Sequence, residues 1–136
     1  CAAAVSDFKP KIFSKTKIKK NFNNTQKINL EKNPDILEFL AKNNKNRPKL
    51  VVGFSAETEN LIKNSEYKLK NKNCDLIIAN DVSKKDFGFN KDFKKISIID
   101  VSGKVQAISK NKKSYIASRI TKSIIKKFLI NDKNIN

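Results

Sequence analysis

A few residue clusters in this sequence have the types and spacing to do chemistry. Asp7 stands where a short apolar run, Cys1–Val5, stops. A carboxylate there reads either as a Mg²⁺ ligand beside a nucleotide or as a turn residue. Ten residues on, the run Lys15-Thr16-Lys17-Ile18-Lys19-Lys20 reads either as a solvated face or as cations that neutralise charge during phosphoryl or nucleotidyl transfer. Asn33-Pro34-Asp35-Ile36 is a helix start whose free N–H groups can meet an anion. Lys68 and Lys72 are four apart on one helix face and can grip phosphates or stand in solvent. Phe54 closes an apolar run and suits either a base or a core, and Cys74 reads as a small buried residue.

Composition excludes several chemistries. The chain has 136 residues and no His, so no Ser-His-Asp or Cys-His catalysis and no His-ligated metal arises within it. Its three glycines, Gly53, Gly88 and Gly103, cannot supply a G-x-G-x-x-G or P-loop signature. Two cysteines do not make a four-ligand zinc site, and they suit a reducing, cytoplasmic setting. No apolar run is long enough to span a membrane as a helix. The net charge of +17 invites a nucleic-acid reading. Against it, of 30 Lys and Arg residues only Arg47 and Arg119 are Arg, the side chain best suited to bidentate phosphate and base contacts.

The elements that must position these residues follow from pattern. Cys1–Val5 predicts a buried strand, Phe8 to Phe22 a Lys-rich loop and Lys27 to Leu30 a short strand. A helix follows Asn33, with Pro34 in its first turn and Ile36, Leu37, Phe39 and Leu40 as its apolar face, ending around Asn43-Asn44. Leu50–Phe54 predicts a second buried strand, with a helix starting at Ser55–Glu59 and carrying Leu61, Ile62, Ser65 and Leu69. Asp75–Ala79 predicts a third strand closing on Asn80-Asp81, then a loop around Phe87, Gly88 and Phe89. Lys95–Asp100 and Lys104–Ser109 flank Ser102-Gly103 as a hairpin. A last helix repeats Ile116, Ile120, Ile124 and Phe128. The expectation is an α/β fold: a Rossmann-like, mostly parallel sheet with helices on both faces and a C-terminal hairpin and helix. Residues 1–131 would form one domain and 132–136 a frayed tail. Ligands of such a sheet bind beyond the C-terminal ends of its strands.

Singly these signals are weak, but their joint order is specific. Ala2-Ala3-Ala4-Val5-Ser6-Asp7-Phe8, Lys17-Ile18-Lys19-Lys20, Lys32-Asn33-Pro34-Asp35-Ile36, Val52-Gly53-Phe54-Ser55-Ala56-Glu57-Thr58, Lys68-x-x-x-Lys72-Asn73-x-Asp75 and Ala79-Asn80-Asp81-Val82 together resemble the phosphopantothenate–cysteine ligase family, from Cys1 to about Phe128. The resemblance implies CTP-dependent joining of 4′-phosphopantothenate to cysteine through an acyl-cytidylate. It implies a CTP site of Cys1, Ala2, Ala3, Asp7, Lys17, Pro34, Asp35, Ile36, Leu37, Phe54, Lys68 and Lys72, with Lys17 assisting turnover and Asp7 holding Mg²⁺. Asn80 and Asp81 belong to the pattern without an assigned role. The resemblance further implies a homodimeric full-length protein and an FMN-dependent decarboxylase half that is absent here. The family's Gly-rich opening and its Asn/Ser/Gly acyl-substrate segment are also absent. The chain is therefore expected to be a C-terminal piece with an open sheet edge, inactive alone or marginally stable. The alternative is a Lys-rich α/β module that binds nucleic acid.

Overall fold

A computed structural model describes residues 1–3, 5–19, 27–42, 45–83 and 93–133. Two compact units are distinguished, Ala3–Asp35 and, separately, Cys1–Ala2 with Ile36 onward.

The smaller unit is built on an antiparallel ribbon of β1 (Phe8–Pro10) and β2 (Leu30–Lys32), with Phe8 opposite Lys32 and Pro10 opposite Leu30. Phe8 thus opens a strand rather than the expected loop, and the second strand begins at Leu30, where the expected one was to end, and runs to Lys32. Pro10 is tolerated because a two-stranded ribbon has only edges. The Lys9–Glu31 pair closes across it at 3.3 Å, exposed on both sides. Residues 1–3 and 5 are not in a strand, although the Cys1 ammonium donates to the Val52 carbonyl at 2.8 Å. Alanine favours strands weakly, and Val5 is 55% exposed, so the run gains no burial that would fix it in a sheet.

The larger unit holds α1 (Ile36–Lys42), β3 (Val52–Glu57), α2 (Leu61–Asn71), β4 (Leu76–Asp81), β5 (Phe93–Asp100), β6 (Val105–Lys112) and α3 (Lys113–Lys133). The α/β class with a terminal hairpin and helix is realised. The expected mostly parallel sheet takes the form of a mixed one, in the order β3-β4-β5-β6. β3 and β4 are parallel, while β4–β5 and β5–β6 are antiparallel, so β3 is an edge strand among the described residues.

Alternation along the strands sends side chains to two faces. Ile77, Ala79 and Ile99 face α1 and α2, where Ala41, Leu69, Leu37, Leu61 and Ile62 cover them. Leu76, Ile78, Ile96, Ile98 and Ile108 face α3, where Ile116, Ile120 and Ile124 pack. Helices therefore cover both faces. α1 approaches β3 closely at Gly53: a Cβ there would lie 2.6 Å from Leu37 Cδ2 and 2.9 Å from Ile77 Cδ1.

Three local expectations shift. The first helix begins at Ile36, so Pro34 stands before it rather than in its first turn. The residues expected to open the second helix extend β3 instead, because Ser55, Ala56 and Glu57 continue the ladder opposite Ala79, Asn80 and Asp81. α2 then starts after Asn60, whose positive φ of 47° is one Asn tolerates better than most residues. The last helix extends to Lys133, so Asp132 and Lys133 are helical rather than frayed. The expected Phe87-Gly88-Phe89 loop, the Asn43-Asn44 helix end and residues 134–136 lie outside the described residues.

Candidate functional site

The best-defined polar cluster sits at the C-terminal end of β3, where an open sheet of this kind offers a ligand site. Gly53, Ser55 and Glu57 alternate onto the α1/α2 face of the edge strand. Lys68, one turn before the end of α2, reaches across to them. Its Nζ donates to Glu57 Oε1 at 2.6 Å and to Ser55 Oγ at 3.3 Å. Ser55 Oγ donates to the same Glu57 oxygen, and Asn64 Nδ2 donates to Glu57 Oε2 at 3.3 Å. The Glu57 side chain is 13% exposed and that of Lys68 is 40% exposed, so the carboxylate is sheltered and the ammonium reaches solvent.

Burial alone would raise the Glu57 pKa. The hydrogen bonds and charge of Lys68, with the bonds from Ser55 and Asn64, outweigh it and hold the carboxyl below its ordinary 4.5. At neutral pH the pair is ionised on the carboxylate side.

Lys72 is the C-cap residue of α2, one turn beyond Lys68, and its backbone N–H closes the helix on the Lys68 carbonyl at 3.0 Å. Asp75, from the same sequence cluster, has a structural task. Its Oδ2 accepts from Arg47 Nη2 at 2.8 Å and from the Val51 N–H at 2.6 Å. Arg47 also donates to the Ala41 and Asn73 carbonyls, which ties the end of α1 to the loop before β4.

Phe54 is 47% exposed and, by alternation, points to the α3 face, opposite Ser55 and Lys68. A ligand touching both would have to reach past the edge of β3. Leu37 packs onto the core beside Gly53, while Ile36 is 50% exposed. Cys1 is exposed with a free thiol, its ammonium against β3, and Ala2 follows it, exposed. Asn80 continues β4 and keeps a buried side-chain oxygen that has no hydrogen-bond partner among the described residues. Asp81 Oδ1 accepts from the Ser83 N–H at 3.0 Å, a turn-forming contact.

Within the smaller unit, Asp7 and the segment before α1 come together. The Asn33 N–H donates to the Asp7 carbonyl at 2.9 Å, and Asn33 Nδ2 donates to the Ser6 carbonyl at 2.8 Å. Asn33 thus donates its side-chain amide N–H to Ser6, and with α1 beginning at Ile36 it stands three residues ahead of the helix. Ala3, Asp7 and Pro34 are exposed there and Asp35 is half-buried. Lys17 is exposed in the irregular stretch after β1, just beyond a local turn in which Ser14 Oγ donates to the Thr16 carbonyl at 2.7 Å. The expected site residues divide between the two units: Cys1, Ala2, Ile36, Leu37, Phe54, Lys68 and Lys72 belong to the larger one, and Ala3, Asp7, Lys17, Pro34 and Asp35 to the smaller.

Sequence reasoning named Lys68, held Ser55 and Glu57 within a family-like cluster at the end of a strand without giving either a role, and passed over Asn64. The available signal was spacing. Glu57 and Ser55 are two apart on one strand face, and Asn64 and Lys68 are four apart on one helix face. No group of three or more His, Cys, Asp or Glu suited to a metal ion occurs among the described residues.

Residues 1–128 match the family described as the DNA/pantothenate metabolism flavoprotein C-terminal domain. The chain is 42% identical over 122 residues to the coenzyme A biosynthesis bifunctional protein CoaBC of Borreliella burgdorferi, covering 89% of this chain and 30% of that protein. It is 37% identical over 124 residues to a cysteine/cysteine sulfinic acid decarboxylase from an unknown prokaryotic organism, covering 91% of this chain and 34% of that protein. Among solved structures, the C-terminal domain of CoaBC superposes with a TM-score of 0.65 at 28% identity, covering 96% of this chain and 53% of that one. The chain thus spans about a third of these two curated relatives.

Proposed function

We propose that this chain, which belongs to the DNA/pantothenate metabolism flavoprotein C-terminal domain family, carries the nucleotide-binding side of a CTP-dependent phosphopantothenate–cysteine ligase. The observation that carries this reading is the family match over residues 1–128, which contains all six sequence clusters. The decarboxylase relative bears on the domain alone, since it shares the same stretch under a different name.

In this reading the carboxylate of 4′-phosphopantothenate attacks the α-phosphorus of CTP. The acyl-cytidylate forms and pyrophosphate leaves. The cysteine amine then attacks the acyl carbon, the amide forms and CMP departs. Negative charge builds on the phosphoryl oxygens in the first step, and fixed cations stabilise it. Lys17 supplies one such cation and assists turnover of the acyl-cytidylate, while Lys68 and Lys72 bind the nucleotide. Cys1 to Ala3, Pro34 to Leu37 and Phe54 are the remaining nucleotide contacts that the family resemblance implies. Asp7 holds Mg²⁺, a metal that typically uses one or two carboxylates plus substrate phosphates, so a lone exposed carboxylate fits that mode. The acyl-substrate contacts come from outside this chain, and the working assembly is a homodimer of the longer protein.

Calorimetric titration of the chain with CTP, UTP and ATP tests the reading, together with Lys17→Gln and Asp7→Asn. CTP should bind tightest, and each substitution should weaken it by about tenfold. Equal binding of all three nucleotides, with neither substitution mattering, would sink it. The chain alone should form no amide from 4′-phosphopantothenate, cysteine and CTP. Product seen by mass spectrometry would show that the acyl-substrate side lies within these residues.

A further inference from the structure

We propose that Glu57 is the positioning residue of the nucleotide site, fixing the Lys68 ammonium so that a single N–H is presented to the ligand. The inference rests on the reading of Lys68 as a CTP contact. It concerns how that lysine differs from its many neighbours in a chain of 30 Lys and Arg residues.

The argument is a count of donors and acceptors. An ammonium has three N–H groups. Lys68 gives one to Glu57 Oε1 at 2.6 Å and directs one at Ser55 Oγ at 3.3 Å, which leaves one. Glu57 is in turn fixed from three sides, by Ser55 and Lys68 on Oε1 and by Asn64 on Oε2. Its backbone ends β3 in register with Asp81, so the carboxylate stands on a sheet strand rather than on a loop. Ser55, the shared partner, is 2% exposed and cannot swing away.

Lys63 and Lys70 on the same helix are exposed and have no carboxylate partner among the described residues. A lysine on a flexible four-carbon stem loses rotamer freedom whenever it grips a ligand. Lys68 has lost much of that freedom before any ligand arrives. Pre-orientation of this kind raises affinity by removing an ordering cost from the binding step. The pair is also neutral overall, so Lys68 contributes direction more than net charge.

The test is a double-mutant cycle on CTP affinity in the 136-residue chain. Wild type, Glu57→Gln, Lys68→Gln and the double variant are titrated at a temperature where circular dichroism shows all four folded. Glu57→Gln should weaken CTP by about tenfold, and so should Lys68→Gln. The double variant should bind no worse than Lys68→Gln alone, because Glu57 acts only through Lys68. A merely structural Glu57 gives losses that multiply instead, and that result overturns the proposal. An unchanged affinity in Glu57→Gln overturns it too, while leaving the ligase reading intact. Should Glu57→Gln not fold, Glu57→Asp keeps the charge and withdraws it from Lys68 by one methylene. It should show the same weakening, and wild-type affinity there counts against the proposal. Failure of the wild-type chain to bind CTP removes both this inference and the reading on which it rests.

Discussion

At the scale of single residues, Glu57 also sets a pH dependence of stability. Its carboxyl titrates below the ordinary 4.5 because bonds from Lys68, Ser55 and Asn64 outweigh its burial. A depressed carboxyl stabilises the fold above its ordinary pKa, and that stabilisation is lost as pH falls through the lower folded value. Urea denaturation of wild type should therefore show stability falling as pH is lowered from 4.5. Glu57→Gln should lose part of that slope. Identical slopes in the two proteins would show that the pair contributes nothing to acid stability. Two glycines give a second residue-level contrast. Gly103 has φ 81° with open space around a would-be Cβ, so Gly103→Ala meets only backbone strain, about 1 kcal/mol. Gly53 has no such φ but lies under Leu37 and Ile77. Gly53→Ala must displace side chains in a close-packed core and should cost about 1–3 kcal/mol. It should also disturb Leu37, which Gly103→Ala leaves alone; methyl NMR of Leu37 separates the two.

At the scale of elements, α2 buries Ser65 at 0% exposure, and its hydroxyl has no hydrogen-bond partner among the described residues. A buried unpaired hydroxyl costs free energy, and Ala has the higher helix propensity. Ser65→Ala should raise the stability of the chain by about 0.5–1.5 kcal/mol, read as a higher urea midpoint at unchanged slope. A lower midpoint would mean that the hydroxyl has a partner such as a buried water. What was legible in the sequence follows from the same physics. The helical spacing of Leu61, Ile62, Ser65 and Leu69 and of Ile116, Ile120 and Ile124 located the two longer helices, because burial of one face dictates that period. Ser102-Gly103 located the hairpin, because its turn needs the positive φ. The Ser55–Glu59 signal misled, because local helix-start preference competes with a ladder to β4 that no local pattern encodes. Cys1–Val5 misled for the opposite reason: an apolar run marks a strand only if something buries it. Lys68 was legible through the family-like spacing with Lys72. Its partner Glu57 was not, since their meeting depends on how α2 lies on β3.

At the scale of the whole molecule, the charge of +17 and the specific site make separable claims on anions. A diffuse cationic surface attracts any polyanion, and that attraction collapses as salt releases no further counterion advantage. A built site holding one nucleotide through a few fixed donors depends less steeply on ionic strength, because fewer charges are neutralised. Lys63 and Lys70 belong to the first category, and Lys68, neutralised by Glu57, to the second. Two titration series over about 50 to 200 mM salt distinguish them, one with duplex DNA and one with CTP. DNA affinity should fall by orders of magnitude across that range and weaken further in Lys63→Gln/Lys70→Gln. CTP affinity should decline with a clearly shallower slope and be unmoved by that double substitution, while Lys68→Gln weakens it at every salt concentration. Equal slopes for the two ligands, with Lys63→Gln/Lys70→Gln as damaging to CTP as Lys68→Gln, would assign nucleotide binding to the general field of the lysines. The site at the end of β3 would then be a structural ion pair joining an edge strand to its helix.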